Sequence, residues 1–392
     1  MKALRKFIET QQPKFEKGGK LEKYWVLFDA LATFAFTPGH ATPKRGAHIR
    51  DAIDLKRTMM MVIIALIPCL LFGMWNEGAQ HYLAIGETAG FWDKFLFGAI
   101  RVLPIVVVSY AVGLGVEFLF CIIKGHAIQE GFLVSGMLIP LILPIDIPLW
   151  MVAVATAFAV LIGKEVFGGT GMNIINVALT ARAFLFFAYP TKMSGNKVWI
   201  DTAEGTPVDG FTGATALGDA AAKMPLEGFT EKYSLFESFM GYIPGSIGET
   251  STLMILIGAG ILLFTGIASW RIMLSATIGG LVMAAIFNAV APADNTLMNL
   301  SPLYHLCLGG FAFGVVFMAT DPVTASQTNT GKWIYGFLIG FLSIMIRVFN
   351  PAYPEGVFLA ILFMNVMAPL VDHYVIQANV KRRMARVKTV KA

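Results

Sequence analysis

The chain has 392 residues, 56% of them hydrophobic and only 14% charged, with a mean hydropathy of +0.67. A soluble domain carries roughly 25% charged residues, so a soluble globular fold is excluded, as are a disordered chain, a collagen-like chain and a disulfide scaffold. The net charge of +5 reports orientation in a membrane rather than nucleic-acid binding, and Cys69, Cys121 and Cys307 lie too far apart for a self-contained zinc or iron–sulfur site.

Residues 1–57 form a polar extension with 12 Lys/Arg against 6 Asp/Glu, and the charged start predicts no cleavable signal peptide. Within it, Tyr24–Thr37 is apolar but too short to span, and reads as an interfacial or re-entrant segment. Ten longer apolar segments follow, near 58–75, 99–123, 132–144, 148–163, 173–188, 252–269, 272–291, 306–320, 333–349 and 355–373. The segments at 132–144 and 306–320 end in ILPIDIP and ATDPVTA, where proline stops a helix. Irregular backbone at membrane depth must be covered by protein or line a cavity, so these two are predicted to be broken or half helices.

A weak repeat relates the two halves. Residues 131–144 lie over 309–322, and Glu165-Val-Phe-Gly-Gly169 over Arg347-Val-Phe-Asn-Pro351, each followed by a helix. Five segments per half is an odd number, so the halves insert with opposite orientation, and such inverted repeats hold their sites near the repeat interface. The expected organisation is an all-α polytopic protein of about ten transmembrane helices. It divides into an extension (1–57), a first repeat (58–188), a central loop (189–250), a second repeat (251–373) and a tail (374–392). Both termini are basic and the tail has no acid after Asp372, whereas the span from Tyr189 to Glu249 has four Lys and eight Asp/Glu. The positive-inside rule then puts both ends in the cytoplasm and the central loop outside.

That loop contains VDGFTGATALG at 208–218. Gly210 and Gly213 free the backbone for a turn that could aim N–H groups at a phosphate, with Thr212 and Thr215 accessible; composition alone favours an ordinary Gly/Thr-rich surface loop. Asp209-Gly210-Phe211-Thr212-Gly213-Ala214-Thr215 resembles the D-G-x-[S/T]-G-A-[S/T] acceptor motif of flavin transferase, which joins FMN by a phosphoester to the last hydroxyl, here Thr215. Beyond it, Asp54-Leu-Lys-Arg57, Gly163-Lys-Glu-Val-Phe-Gly-Gly-Thr-Gly171, Ala181-Arg-Ala-Phe-Leu-Phe-Phe-Ala-Tyr-Pro190, Gly248-Glu-Thr-Ser-Thr252, Phe317-Met-Ala-Thr-Asp-Pro322 and Ala378-Asn-Val-Lys-Arg-Arg383 resemble the family of B-type membrane subunits of sodium-translocating NADH:quinone reductases. The homologous D-type subunits of the related Rnf complex share the flavin motif but lack most of the extension. The resemblance implies an inner-membrane protein with covalent FMN and noncovalent riboflavin, passing electrons to ubiquinone while sodium crosses. It implies as partners an NADH-oxidising flavin and iron–sulfur subunit, a second covalent-FMN subunit, small membrane subunits, the transferase and membrane lipid, and no nucleic acid.

Intramembrane acids are costly unless paired or wet. Glu117 is a candidate sodium ligand or quinone partner, or else a paired helix-end acid, and the family places the quinone region here, at Gly113, Leu114 and Glu117. Gly113 and Gly115 would admit a flat ring or a neighbouring helix. Asp321 after its half helix could coordinate a cation or cap a helix, and Asp372 could line a sodium exit or pair with the basic tail. Lys164, Glu165 and Arg182 are expected to form one structural charge network, and the six histidines show no metal-ligand spacing. Inverted five-helix repeats also build urea-transporter-like channels, and a scaffold is a third reading; neither needs a flavin acceptor motif. No GxGxxG follows a strand, so NADH oxidation is expected in a partner.

Overall fold

The computed structural model describes residues 2–16, 55–124, 131–202, 212–350 and 355–390, together with positions 19, 21–25, 28, 29, 32, 33, 36, 208 and 353. Among these the fold is all-helical. After α1 (Lys2–Gln11) come α2 (Leu55–Ile85), α3 (Phe91–Lys124), α4 (Phe132–Leu141), α5 (Leu149–Gly163) and α6 (Val177–Ala188). The central loop carries α7 (Ala216–Ala221), α8 (Leu226–Lys232) and α9 (Leu235–Met240). Then follow α10 (Thr252–Phe264), α11 (Trp270–Val290), α12 (Pro302–Cys307), α13 (Phe311–Phe313, continuing as a π turn over Gly314–Met318), α14 (Asn329–Phe349) and α15 (Val357–Val390). Six helices are long and apolar enough to cross a membrane (α2, α3, α5, α11, α14 and α15), and α4, α6 and α10 are shorter apolar helices. With the interrupted α12–α13 segment they match the ten predicted segments one for one. Half of Tyr24–Thr37 lies outside the described residues.

The two halves pack in the same order. α3 lies on α5 and α5 on α6; α11 lies on α14 and α14 on α15; α2 meets α10 between the halves. Backbone-to-backbone approach at small residues permits this. A Cβ on Gly340 would fall 1.8 Å from the Ala276 carbonyl oxygen, and one on Gly98 1.7 Å from that of Met74.

Helix lengths depart from the hydropathy segments. α2 and α3 have 31 and 34 residues, about 46 and 51 Å at 1.5 Å per residue, well beyond a 30 Å hydrocarbon core. Window hydropathy sees only the apolar middle of each. α15 likewise continues past His373 to Val390, so Lys381, Arg382 and Arg383 extend the last helix.

Both predicted interruptions are present. α4 is a ten-residue half helix that ends in turns, and the carbonyls at its end are met by the end of the central loop: Gly248 N donates to Leu141 O (2.7 Å) and Ile247 N to Leu143 O (3.2 Å). In the second half the helical segment ends at Met318, ahead of Pro322, and a further break falls at Leu308–Gly310, where Gly309 (φ 64°) and Gly310 (φ 68°) are left-handed. The sequence lacks a proline there, and the paired glycines are the only signal. The central loop covers one end of the bundle. Asp201 receives the Arg101 guanidinium (2.7 Å) and its carbonyl meets His81 Nδ1 (2.6 Å), while Lys192 pairs with Asp146 (3.2 Å).

Candidate functional site

Thr215 sits at the start of a helix rather than on an open loop. Its backbone is extended, and its Oγ1 accepts from Gly218 N at 3.1 Å, capping α7. Ala216, Leu217 and Ala220 bury the inner face of α7 in a small core with Phe229, Tyr233 and Tyr304, separate from the bundle core. The hydroxyl of Tyr233 donates to Asp219 Oδ2 (2.8 Å) and reaches the Ala214 carbonyl (3.3 Å); Lys232 pairs with the same Asp219 oxygen (2.6 Å), and Tyr304 donates to the Tyr233 carbonyl (3.1 Å). Burial, then the neighbouring Asp219 carboxylate, raises the Tyr233 phenol above its ordinary value, so it stays a donor. Gly213 serves close approach: a Cβ there would lie 2.7 Å from Asn196 O. Thr212 is exposed, Thr215 half-buried, Gly213 and Ala214 buried; Asp209 and Gly210 lie outside the described residues.

Thr215 borders a narrow pocket shared with Ser246, Glu249, Gly309, Gly310 and Glu355. Its floor is a buried charge cluster. Arg182 from α6 donates to Glu249 Oε1 and Ser246 Oγ (both 3.2 Å), pairs with Glu355, and stacks on Phe358 at 4.5 Å. The left-handed Gly310 leaves room for the Glu249 carboxylate, since a Cβ would meet Oε2 at 2.5 Å. Burial pushes the Glu249 carboxyl above its ordinary range, against the opposing pull of Arg182. Arg347 lies beside it, also fully buried, donating to the carbonyls of His305 and Leu308 (both 2.9 Å) at the helix break. The cluster joins the first repeat, the end of the loop and the second repeat. Arg182 and Lys164 therefore do not share one network as expected: Lys164 pairs with Glu117 instead.

The other candidates gather at the opposite end. Glu117, 2% exposed, forms its ion pair with Lys164, and its Oε2 makes no hydrogen bond among the described residues. Gly113 lies under the Phe132 ring, whose Cζ would be 1.8 Å from an added Cβ, whereas Gly115 has open space beside it; Leu114 is half-buried. Asp321 accepts from Val323 N (3.0 Å), Thr324 Oγ1 (3.1 Å) and Asn176 Nδ2 (3.4 Å), closing the turn after the π segment and linking it to the cap of α6. Asp372 accepts from Ser326 Oγ (2.7 Å), Gln327 N (2.7 Å), Thr328 N (3.0 Å) and Thr328 Oγ1 (2.5 Å), binding the loop before α14 to α15. Thus Asp321 and Asp372 each hold a loop, and among the described residues no basic residue of the tail hydrogen-bonds to Asp372. A cleft between the halves is lined by Ser135, Lys164, Thr170, Asn173, Asn176 and Asp321. No group of three or more His, Cys, Asp or Glu is arranged to hold a metal among the described residues.

Sequence reading missed Glu249, Glu355, Asn173, Asn176, Asp219 and Tyr233. Asn176 carried a cap signal, an Asn directly before an apolar helix. Glu249 and Glu355 are joined through Arg182, 67 and 173 positions away.

Residues 42–381 match the NQR2, RnfD, RnfE family. Over nearly its full length the chain is also similar to proteins named as the B-type subunit of the Na(+)-translocating NADH-quinone reductase. It is 48% identical to that of Chromohalobacter salexigens over 404 residues, covering 98% of this chain and 96% of the other. Those of Stutzerimonas stutzeri and Azotobacter vinelandii are each 48% identical, with 98% of this chain and 99% of theirs covered.

Proposed function

The chain belongs to the NQR2, RnfD, RnfE family and is a membrane component of an oxidoreductase complex; on that premise we propose that it carries FMN on Thr215 and passes electrons through flavins to ubiquinone as sodium crosses the membrane. The observation that carries this reading is Thr215 itself. Its hydroxyl completes the acceptor motif, the residue is half-buried, and it borders a pocket whose walls come from the central loop and the second repeat. The residues present fit the group: an ester oxygen keeps the lone pairs that cap α7, so attachment leaves the Gly218 bond in place. When bound, FMN supplies one- and two-electron chemistry. The chain's own residues anchor its tether through Thr215, hold the α7 segment through Tyr233 and Asp219, and set the charge of the pocket floor through Arg182, Glu249 and Glu355.

The noncovalent riboflavin implied by the family would find its partners in the cleft between the halves. The amides of Asn173 and Asn176, with Lys164, Thr170 and Ser135, provide the donors and acceptors that the imide edge and hydroxyl tail of an uncharged flavin require. Glu117, Leu114 and Gly115 on α3 remain the proposed quinone-facing side, because Phe132 fills the space at Gly113. Sodium candidates are Glu117, Asp321 and Asp372, the last two through the loops they hold. The two basic ends are proposed to be cytoplasmic, in a bacterial inner membrane, with the central loop outside. The length of the match, which takes in the N-terminal extension, favours the sodium-translocating reductase over the Rnf complex as the parent assembly.

The test is mass spectrometry of the peptide spanning Thr215, from cells that express the transferase. A mass gain of FMN less water on Thr215 is expected. Thr215→Asn keeps a good cap without a hydroxyl ester acceptor, so it should lose the flavin and quinone reduction yet keep the fold; Thr212→Ala should keep the flavin. Unmodified peptide from wild-type cells would refute the assignment.

A further inference from the structure

The backbone on either side of Thr215 is packed in the folded chain, although Thr212 is exposed. Ala214, Ala216 and Leu217 are 4%, 1% and 2% exposed, and Gly213 is pressed on the Asn196 carbonyl. Thr215 Oγ1 is engaged by Gly218 N, and the Ala214 carbonyl by the Tyr233 hydroxyl. An enzyme that delivers a phosphoryl group to the Thr215 oxygen has to surround the backbone on both sides of it, and here one side is packed into the small core beneath α7. We propose that flavin transfer acts on an opened form of this segment, and that Tyr233 with Asp219 is the latch that closes it afterwards. This rests on the reading of Thr215 as the acceptor.

The chemistry is consistent with that order. The Thr215 Oγ attacks the flavin-side phosphorus of FAD, forming a new O–P bond. The pyrophosphate P–O bond breaks, AMP departs with the bridging oxygen, and the hydroxyl proton passes to the transferase's base. The product ester oxygen still accepts from Gly218 N, so α7 can re-form with the flavin attached. The latch sits on the far side of α7's first turn. Asp219 takes hydrogen bonds from both Tyr233 and Lys232, while Tyr233 alone reaches back to the residue before the acceptor. Tyr233 is therefore a positioning residue, acting through the backbone that carries the acceptor.

The experiment uses the full-length apoprotein, made in cells without the transferase, purified in detergent and mixed with transferase, FAD and magnesium. Modification is followed by intact mass, and opening of residues 216–221 by hydrogen exchange. If opening precedes transfer, the rate follows the open population. Tyr233→Phe keeps the ring in the core but removes the latch, and should raise both the modification rate and exchange in α7 by about fivefold. A synthetic peptide of residues 205–222, open at all times, should react faster still. Equal rates for peptide, wild type and Tyr233→Phe would overturn the proposal while leaving Thr215 as acceptor. Absence of modification on both peptide and chain would instead remove the acceptor assignment, and the proposal with it.

Discussion

Glu117 and Lys164 are 2% and 3% exposed, and each is the other's ion-pair partner. Removing one member of such a pair strands the other charge in a low-dielectric interior, which costs about 3–5 kcal/mol, whereas replacing both is often nearly neutral. Glu117→Gln is therefore expected to lower the thermal stability of the purified chain sharply, and Glu117→Gln with Lys164→Met to restore most of it. The double variant also separates the two roles proposed for Glu117. If the acid only holds helices together, the sodium dependence of the remaining turnover matches wild type, whatever Lys164 contributes to the cleft; if it faces sodium or quinone, stability returns and sodium dependence does not. At Gly113 the issue is volume alone. An added methyl would enter the Phe132 ring, so Gly113→Ala should cost about 1–3 kcal/mol, measured by thermal unfolding, with quinone affinity unchanged in the molecules that remain folded.

The helices themselves were legible because each carries its signal along its own length: ten apolar segments, with prolines after two of them. Gly340, by contrast, shows its role only in the packed pair. Its contact with the Ala276 carbonyl sets the separation of α11 and α14, and Gly340→Leu should splay the pair, visible as loss of assembled complex on a sizing column. α7 was not legible. Six residues are too few to display a helical period, and the glycines and threonines read as a loop; its stability comes from Tyr233 and Tyr304, distant in the chain. The Arg182 cluster was hidden for the same reason, since Arg182 and Glu355 lie 173 positions apart. The Tyr233 phenol yields a pH prediction for this element. Its folded value is raised above the ordinary 10, so its contribution is fully present below pH 10 and declines as pH rises beyond it. Amide protection of 216–221 should fall faster above pH 10 in wild type than in Tyr233→Phe, where no phenol titrates; parallel profiles would remove Tyr233 from the account.

At the scale of the molecule, two five-segment halves meet along α2 and α10, and the central loop roofs one end while the loops held by Asp321 and Asp372 close the other. This division matters because the two proposed flavin positions fall at opposite ends: the Thr215 pocket under the loop, the Asn173–Asn176 cleft near the half-helix start at Gly131. On that proposal, electrons passing between them would travel across the membrane's thickness, so the direction of the chain would fix which flavin faces which compartment. The acidic loop and the basic residues on α15 argue that Thr215 lies outside and the cleft inside. Lys197 in the loop and Arg386 on α15 are both exposed, and the native Cys69 and Cys121 are buried, which leaves Cys307 as the main background to replace. In a cysteine-free chain, Lys197→Cys should react with a membrane-impermeant maleimide in intact spheroplasts, and Arg386→Cys only after permeabilisation. The reverse pattern would place Thr215 in the cytoplasm and would exchange the two compartments between which the proposed electron path runs.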